Sequence, residues 1–153
     1  MRMLCLLLAI LCLLPSCAPK EPTPDTVAER MEAYGTAALR RADEDFVRTN
    51  FGAADRWETA DVYLSAAGDG TEIGIFWLTD VAHTEEMKAT VREYMESERR
   101  SVESLAALYP GEELDRRLAR FEHAVIESQG RMVYYILADE DQQRELLSAL
   151  KSR

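Results

Sequence analysis

The hydrophobic pattern of the chain alternates between helical and strand-like spacing. Val27, Met31, Tyr34 and Ala38 recur every three or four positions, which predicts an N-terminal helix. Thr26-x-x-Glu29 matches a capping box, so we expect that helix to begin there. A second short helix is predicted from Asp43 to Gly52.

A strand pattern with a period of two follows, and then a long helix. Ala60–Ala66 and Thr71–Thr79 flank Gly68-Asp69-Gly70, which is the signature of a β-hairpin. The helical period returns at Glu85 and is ended by Tyr109-Pro110-Gly111. Its apolar stripe is expected to be buried along its length and consists of Met87, Val91, Tyr94, Met95, Val102, Leu105 and Leu108.

The second half of the chain repeats this order after a further helical stretch, EELDRRLARF. Glu122–Ser128 and Arg131–Ala138 alternate on either side of Gln129-Gly130, and Asp139 with Gln142 is a predicted N-cap pair for a terminal helix. The fold class predicted is therefore α+β. We expect two ββα units that form a four-stranded antiparallel sheet packed with helices and preceded by N-terminal helices.

The second strand of each unit has apolar side chains on both faces. Neighbouring strand residues point to opposite faces, so Phe76 and Trp77 lie on different sides of the sheet, as do Tyr134 and Tyr135. If the N-terminal helices cover the second face, all four aromatic residues are core. The alternative is an open aromatic binding face for a peptide, glycan or partner protein.

The N-terminus has the pattern of an export leader. Twelve uncharged residues, Met3–Leu14, follow Arg2. This run is too short to cross a bilayer, which needs about 20 apolar residues, and has the length of a signal-peptide core. Leu14-Pro15-Ser16-Cys17 resembles the lipobox of bacterial lipoproteins, which implies that Cys17 carries a diacylglycerol anchor. Ordinary cleavage at Ser16-Cys17-Ala18 is the alternative.

The predicted organisation follows from that leader. Residues 1–16 are the lipoprotein signal peptide, residues 17–25 are the lipidated cysteine and a proline-rich tether, and residues 26–153 are a single α+β domain. Cys5 and Cys12 lie inside the leader, so Cys17 has no partner for a disulfide in the mature chain. We expect the protein on the outer face of the cytoplasmic membrane.

Charge narrows the choice of partners. The net charge is −10 and becomes −11 when Arg2 leaves with the leader. An acidic domain repels nucleic-acid phosphates, so nucleic acid is not an expected partner. The expected partners are the membrane, through Cys17, and an unidentified envelope protein or small ligand.

Motifs for known chemistry are missing from the sequence, which contains no P-loop, G-x-S-x-G, H-E-x-x-H, C-x-x-C or EF-hand loop. His83 is predicted at a strand-to-helix turn near Asp80 and Glu86, and His123 near the start of an edge strand. Acid pairs such as Glu85/Glu86, Glu112/Glu113 and Asp139/Asp141 fall at helix starts, where the helix dipole favours them. No catalytic, metal or cofactor residue is therefore assigned, and no cofactor is expected.

The order of these features resembles a known family. A lipobox leader, a helical lead-in, the strand Glu72–Phe76, a long helix running into Tyr109-Pro110 and the segment AVIESQGRMVYYILADED follow one another. This order is similar to that of the small Gram-positive lipoproteins of domain of unknown function 4358, over roughly residues 26–150. The resemblance implies an envelope lipoprotein and no particular activity.

The sequence thus predicts a membrane-anchored envelope lipoprotein with a non-enzymatic binding or accessory domain. One alternative is an envelope hydrolase that uses carboxylates with His83 or His123. Another is a small solute-binding lipoprotein, although the short mature chain leaves little room for two lobes around a ligand.

Overall fold

The computed structural model describes residues 22–35, 39–52 and 55–151. The predicted leader and Cys17 therefore lie outside the described residues. The helices are α1 Pro24–Gly35, α2 Glu44–Phe51, α3 Thr84–Leu108, α4 Glu112–Glu122 and α5 Glu140–Lys151, with a 3₁₀ turn at Val81–His83. The strands are β1 Leu39–Arg41, β2 Trp57–Ser65, β3 Glu72–Leu78, β4 Val125–Gln129 and β5 Met132–Leu137.

The described strands form one antiparallel sheet in the order β1-β2-β3-β5-β4. The predicted class, α+β, is confirmed, but the sheet has five strands rather than four. The additional strand, Leu39–Arg41, pairs with Tyr63–Ser65. Three residues are too few to show a period of two, and helical spacing extended through this region in the sequence.

The two ββα units meet at the centre of the sheet. Their second strands, β3 and β5, pair with each other, while β2 and β4 lie outside them. Every residue of β3 and β5 is buried, as expected for strands that are covered on both faces.

Helices cover both faces of the sheet. On one face, α1 and α5 place Val27, Met31, Leu146 and Leu150 against side chains that include Ile73, Ile75, Trp77, Tyr134 and Ile136. On the other, α2 and α3 place Val47, Phe51, Met87, Val91 and Tyr94 against side chains that include Phe76, Leu78, Val133 and Tyr135. The sheet is therefore the middle layer of three.

Helix α1 begins before the predicted position. Pro24 is its first residue, and the Thr26 hydroxyl donates to the Thr23 carbonyl at 2.9 Å. Proline suits a first helical position because its φ is already helical and it has no N–H to leave unpaired. The last two residues of the predicted tether, Pro24 and Asp25, thus belong to the helix.

Helix α3 is longer than the sheet it covers. Its 25 residues span about 37 Å, whereas the seven residues of β3 span about 23 Å. Met87 to Val102 of the predicted stripe are buried, but Leu105 is 45 % exposed and Leu108 is 72 % exposed. The expectation that the whole stripe is buried is wrong, because its last turns pass the edge of the sheet.

The boundaries around β4 and α5 also differ in part from expectation. β4 begins at Val125, so His123 lies at the end of α4 instead of in the edge strand. The predicted cap of the last helix is confirmed, since the Gln142 N–H donates to Asp139 Oδ1 at 3.0 Å. Among the described helices, none is both long enough and apolar enough to span a membrane.

Candidate functional site

The four aromatic residues of the central strands are all buried. Phe76 and Tyr135 lie beneath α2 and α3, and Trp77 and Tyr134 lie beneath α1 and α5. Their exposed fractions are between 0 % and 4 %. A binding face made of these side chains would require a helix to leave the sheet.

A buried acid lies between two of the three layers. Glu72, at the start of β3, is 7 % exposed and lies on the face covered by α3. Its Oε2 accepts a hydrogen bond from the Tyr94 hydroxyl of α3 at 3.0 Å. Its Oε1 accepts a hydrogen bond from the Tyr135 hydroxyl of β5. The carboxyl group therefore links β3, β5 and α3.

Gly74 makes room for this arrangement. It pairs with Tyr135 across the central strands and lies on the same face of β3 as Glu72. A Cβ atom at Gly74 would lie 2.1 Å from Cε1 of Tyr135. Because Gly74 has no side chain, the Tyr135 ring can lie over the β3 backbone and its hydroxyl can reach Glu72. A glycine inside a strand often marks such a close approach.

Replacement of Gly74 by Ala is expected to lower the free energy of unfolding by about 2 kcal/mol, because the new methyl group forces the Tyr135 ring to move within a packed core. Urea denaturation of both proteins at pH 6 measures the effect. Gly111→Ala is a control for the loss of a glycine without a clash, since Gly111 has no atom within 4 Å of its Cβ position and has an extended φ of 179°. Equal stability of Gly74→Ala and the unsubstituted protein would contradict this packing.

An aromatic cluster covers the two tyrosines. The Phe51 ring centroid lies 4.6 Å from that of Tyr94, 5.7 Å from that of Tyr135 and 4.9 Å from that of Phe76. Phe46 meets the Tyr94 ring edge-on at 6.3 Å. Both phenylalanines come from α2, so this short helix closes the layer above the carboxyl group.

Burial raises the pKa of Glu72 to about 7. The hydrogen bonds from Tyr135 and Tyr94 lower this pKa, while the nearby carboxylate of Glu98 raises it further. Burial and the charge of Glu72 in turn raise the pKa of both tyrosines. The cluster can thus bind and release a proton near neutral pH, and its enclosure by aromatic rings suits proton binding rather than contact with a substrate.

The two histidines lie at opposite ends of the sheet. His83 follows the Leu78 end of β3, and its Nδ1 is 3.7 Å from Oε2 of Glu86. The backbone carbonyl of His123, at the end where β4 starts, accepts a hydrogen bond from Gln143 Nε2 at 2.7 Å. The fold therefore does not bring these two predicted candidates together.

Five of the six acids in the pairs noted in the sequence contact bases or cap a helix. Glu85 lies 3.3 Å from Lys88, Glu86 lies 3.2 Å from Arg56, and Glu113 lies 2.9 Å from Arg116. The Asp141 carboxylate contacts Arg144, and Asp139 caps α5. In the described part of the chain, no three His, Cys, Asp or Glu side chains are grouped as a metal site would need.

An open depression of about 420 Å³ lies between the end of β1, the start of α2 and β2. Its lining includes Arg41, Glu44, Trp57 and Thr59. The Arg41 guanidinium contacts the buried carboxylate of Asp61, and Glu44 pairs with Arg48. The charged groups at this depression are therefore already engaged within the chain.

An apolar tip lies where α3 ends, and we define it as Leu105, Leu108 and Tyr109. Their exposed fractions are 45 %, 72 % and 71 %. The Tyr94 side chain contacts Glu72, beside the β2–β3 turn, so the rest of α3 runs past that turn, where it packs against α4. Two acids near the tip are paired within the chain, Glu103 with Arg99 and Glu113 with Arg116.

The N-terminal end of α1 lies at the other end of the molecule. β1 follows α1, and Leu39 pairs with Ser65 beside the β2–β3 turn. Helix α5 starts at that same end, after Leu137, which pairs with Glu72. Arg30 of α1 donates to the carbonyl of Leu150 at the far end of α5, at 3.5 Å. Helix α1 therefore runs towards the turn and begins at the end opposite the apolar tip.

The sequence reasoning did not identify Glu72 and Tyr94 as members of a common cluster. Two signals were present: an acid on the same apolar strand face as Phe76, and a glycine, Gly74, between them. Which aromatic residues meet that acid depends on strand order and on the path of α3.

Comparison with known proteins finds no relative of this chain. No family model matches the chain, and no curated protein or solved structure matches it either.

Proposed function

We propose that this protein is an envelope lipoprotein, anchored through Cys17 to the outer face of the cytoplasmic membrane, whose α+β domain is a non-enzymatic binding or accessory module. The observation that carries the proposal is the segment Leu14-Pro15-Ser16-Cys17 directly after an uncharged run of signal-peptide length. The resemblance to the lipoproteins of domain of unknown function 4358 remains a prediction that rests on soft sequence patterns.

The geometry of the domain supports a role in which the apolar tip is held away from the membrane for a partner to bind. A chain anchored at Cys17 enters the domain at the start of α1, and the apolar tip lies at the opposite end. The occupant that suits the tip is therefore a protein of the envelope that lies away from the anchoring bilayer. Because the tip itself is apolar and the nearby Glu103 and Glu113 are paired within the chain, we expect the partner to offer an apolar recess.

The anchor is tested first, by comparing the protein with a Cys17→Ser variant in cells of the producing organism. The expected result is a diacylglycerol-modified Cys17 by mass spectrometry and a membrane-bound protein, with the variant released from the membrane. An unmodified N-terminus and a soluble protein would refute the anchor.

The tip is tested separately, by crosslinking in intact cells. We expect one recurrent protein adduct that is lost in a Leu108→Ser/Tyr109→Ser variant and retained in Val81→Ser. Val81 is a matched control because it is 59 % exposed and lies beyond the Leu78 end of β3, at the other end of the domain. An adduct that is unchanged in the tip variant would refute this surface, whatever the state of the anchor.

Neither of the two alternative functions predicted from the sequence, a hydrolase or a solute-binding lipoprotein, is supported by a specific feature of the structure. A hydrolase that pairs a histidine with a carboxylate would have to use His83 or His123 alone, since the two lie at opposite ends of the sheet. For a solute-binding role, the open depression beside α2 offers Arg41 and Glu44, which are already paired within the chain.

A further inference from the structure

The hydrogen bond between Tyr94 and Glu72 lies where α3 leaves the sheet. On the N-terminal side of Tyr94, the helix is held by the apolar side chains Met87 and Val91, both 0 % exposed. On its C-terminal side, Met95 and Val102 are also buried, and α3 packs against α4 as it runs past the β2–β3 turn. The polar contact is therefore placed where α3 passes from the sheet to α4.

Among the residues that the structure describes, the groups that face Glu72 do not include a counter-cation. Helix α3 contributes Tyr94 and Glu98, and β5 contributes Tyr135. The neighbouring strand β2 places Leu64 opposite Glu72, and α2 covers the tyrosine rings with Phe46 and Phe51. Two bases of α4 contact the β2–β3 turn instead. Arg120 contacts Asp69, and Arg117 lies against Gly70.

We propose that Glu72, Tyr94 and Tyr135 form a proton-linked latch, which holds α3 on the sheet while Glu72 is protonated and loosens it when Glu72 is ionised. An ionised carboxylate in this position has lost its hydration and has two phenol donors but no cation to compensate it. It also faces the carboxylate of Glu98. A neutral carboxyl group avoids both costs and keeps its hydrogen bonds to the phenols.

Loosening of α3 from the sheet allows the helix that carries the apolar tip to move together with α4, which packs against it. Proton binding at Glu72 therefore sets how firmly the tip is positioned, and this holds whether or not the tip binds a partner. The pKa of Glu72, which burial raises to about 7, places this change in the range of pH that the outside of a cell experiences.

Native-state hydrogen exchange tests the latch. Amides of α3 around Tyr94 are followed at pH 5.0 and pH 7.5, with intrinsic exchange rates corrected for pH. The opening of α3 is expected to become between about tenfold and a hundredfold more frequent at the higher pH. At pH 7.5, the free energy of opening measured for the α3 amides should be lower than the free energy of opening measured for the amides of the central strand β5.

Glu72→Gln keeps the shape and the acceptor of the side chain but cannot ionise, so its corrected protection should not depend on pH. Glu127→Gln is the matched control, because Glu127 also accepts from a tyrosine, Tyr134, but has Lys151 at 3.0 Å. That variant should retain the pH dependence of the unsubstituted protein.

The latch is overturned if the protection of α3 does not change between the two pH values, or if Glu72→Gln responds to pH as the unsubstituted protein does. It is also overturned if α3 opens only together with β5. Carbon-13 NMR of the glutamate carboxyl groups in the unsubstituted protein provides a test that needs no variant. A Glu72 signal that titrates near its usual value would exclude the proposal.

Discussion

Replacement of Phe51 by Ala is expected to lower the free energy of unfolding by about 3–5 kcal/mol. Phe51 is 1 % exposed and its ring packs against Phe76, Tyr94 and Tyr135. Truncation removes the buried ring from the middle of this cluster and leaves a cavity between α2, α3 and the sheet. It also opens the layer that excludes water from Glu72.

Urea denaturation followed by tryptophan fluorescence measures this loss. Phe46→Ala is the matched control on the same helix, because Phe46 is only half-buried and meets a single ring, that of Tyr94, at 6.3 Å. We expect the control to lose about 1 kcal/mol. Similar losses for the two variants would mean that α2 does not close the second face of the sheet through Phe51.

The second large effect is a loss of stability with rising pH. The pKa of Glu72 is about 7 in the folded protein, against 4.5 for an unperturbed glutamate. The folded state therefore holds this proton more tightly than the unfolded state. Its contribution is fully present below about pH 4.5 and is lost as the pH rises through about 7. Between pH 5 and pH 8, the free energy of unfolding is expected to fall by about 2 to 3 kcal/mol.

Urea denaturation at a series of pH values between 5 and 8 gives this slope. Glu72→Gln should remove most of it. The hydrogen bond from Tyr134 lowers the pKa of Glu127, so the contribution of Glu127 is lost only at acidic pH, outside this window. A stability that is constant from pH 5 to 8 would show that Glu72 ionises as readily in the folded state as in the unfolded state.

The sequence was most informative where burial determines the pattern. β3 and β5 could be predicted as central strands because both of their faces are apolar, and the structure buries every residue of both. The end of helix α3 before Pro110 was predicted correctly. Hydrophobic spacing could not show how much of the helix the sheet would cover. Leu105 and Leu108 fit the stripe and are nevertheless exposed.

The candidate site could not be assembled from the sequence, for a different reason. Glu72 is 22 residues from Tyr94 and 63 residues from Tyr135, and local periodicity carries no information about such separations. The contact depends on β3 pairing with β5, and strand order was not derivable from the sequence. β1 was missed because three residues are too few to show alternation next to helical flanks.

The overhang of α3 makes this helix a lever arm. Leu108 lies fourteen residues beyond Tyr94, which corresponds to about 21 Å along the helix axis. A tilt of about 10° around Tyr94 therefore displaces Leu108 by about 4 Å, roughly the diameter of a methyl group. A change at the Glu72 carboxyl group that tilts α3, together with the α4 helix packed against it, is thus magnified at the far end of the domain.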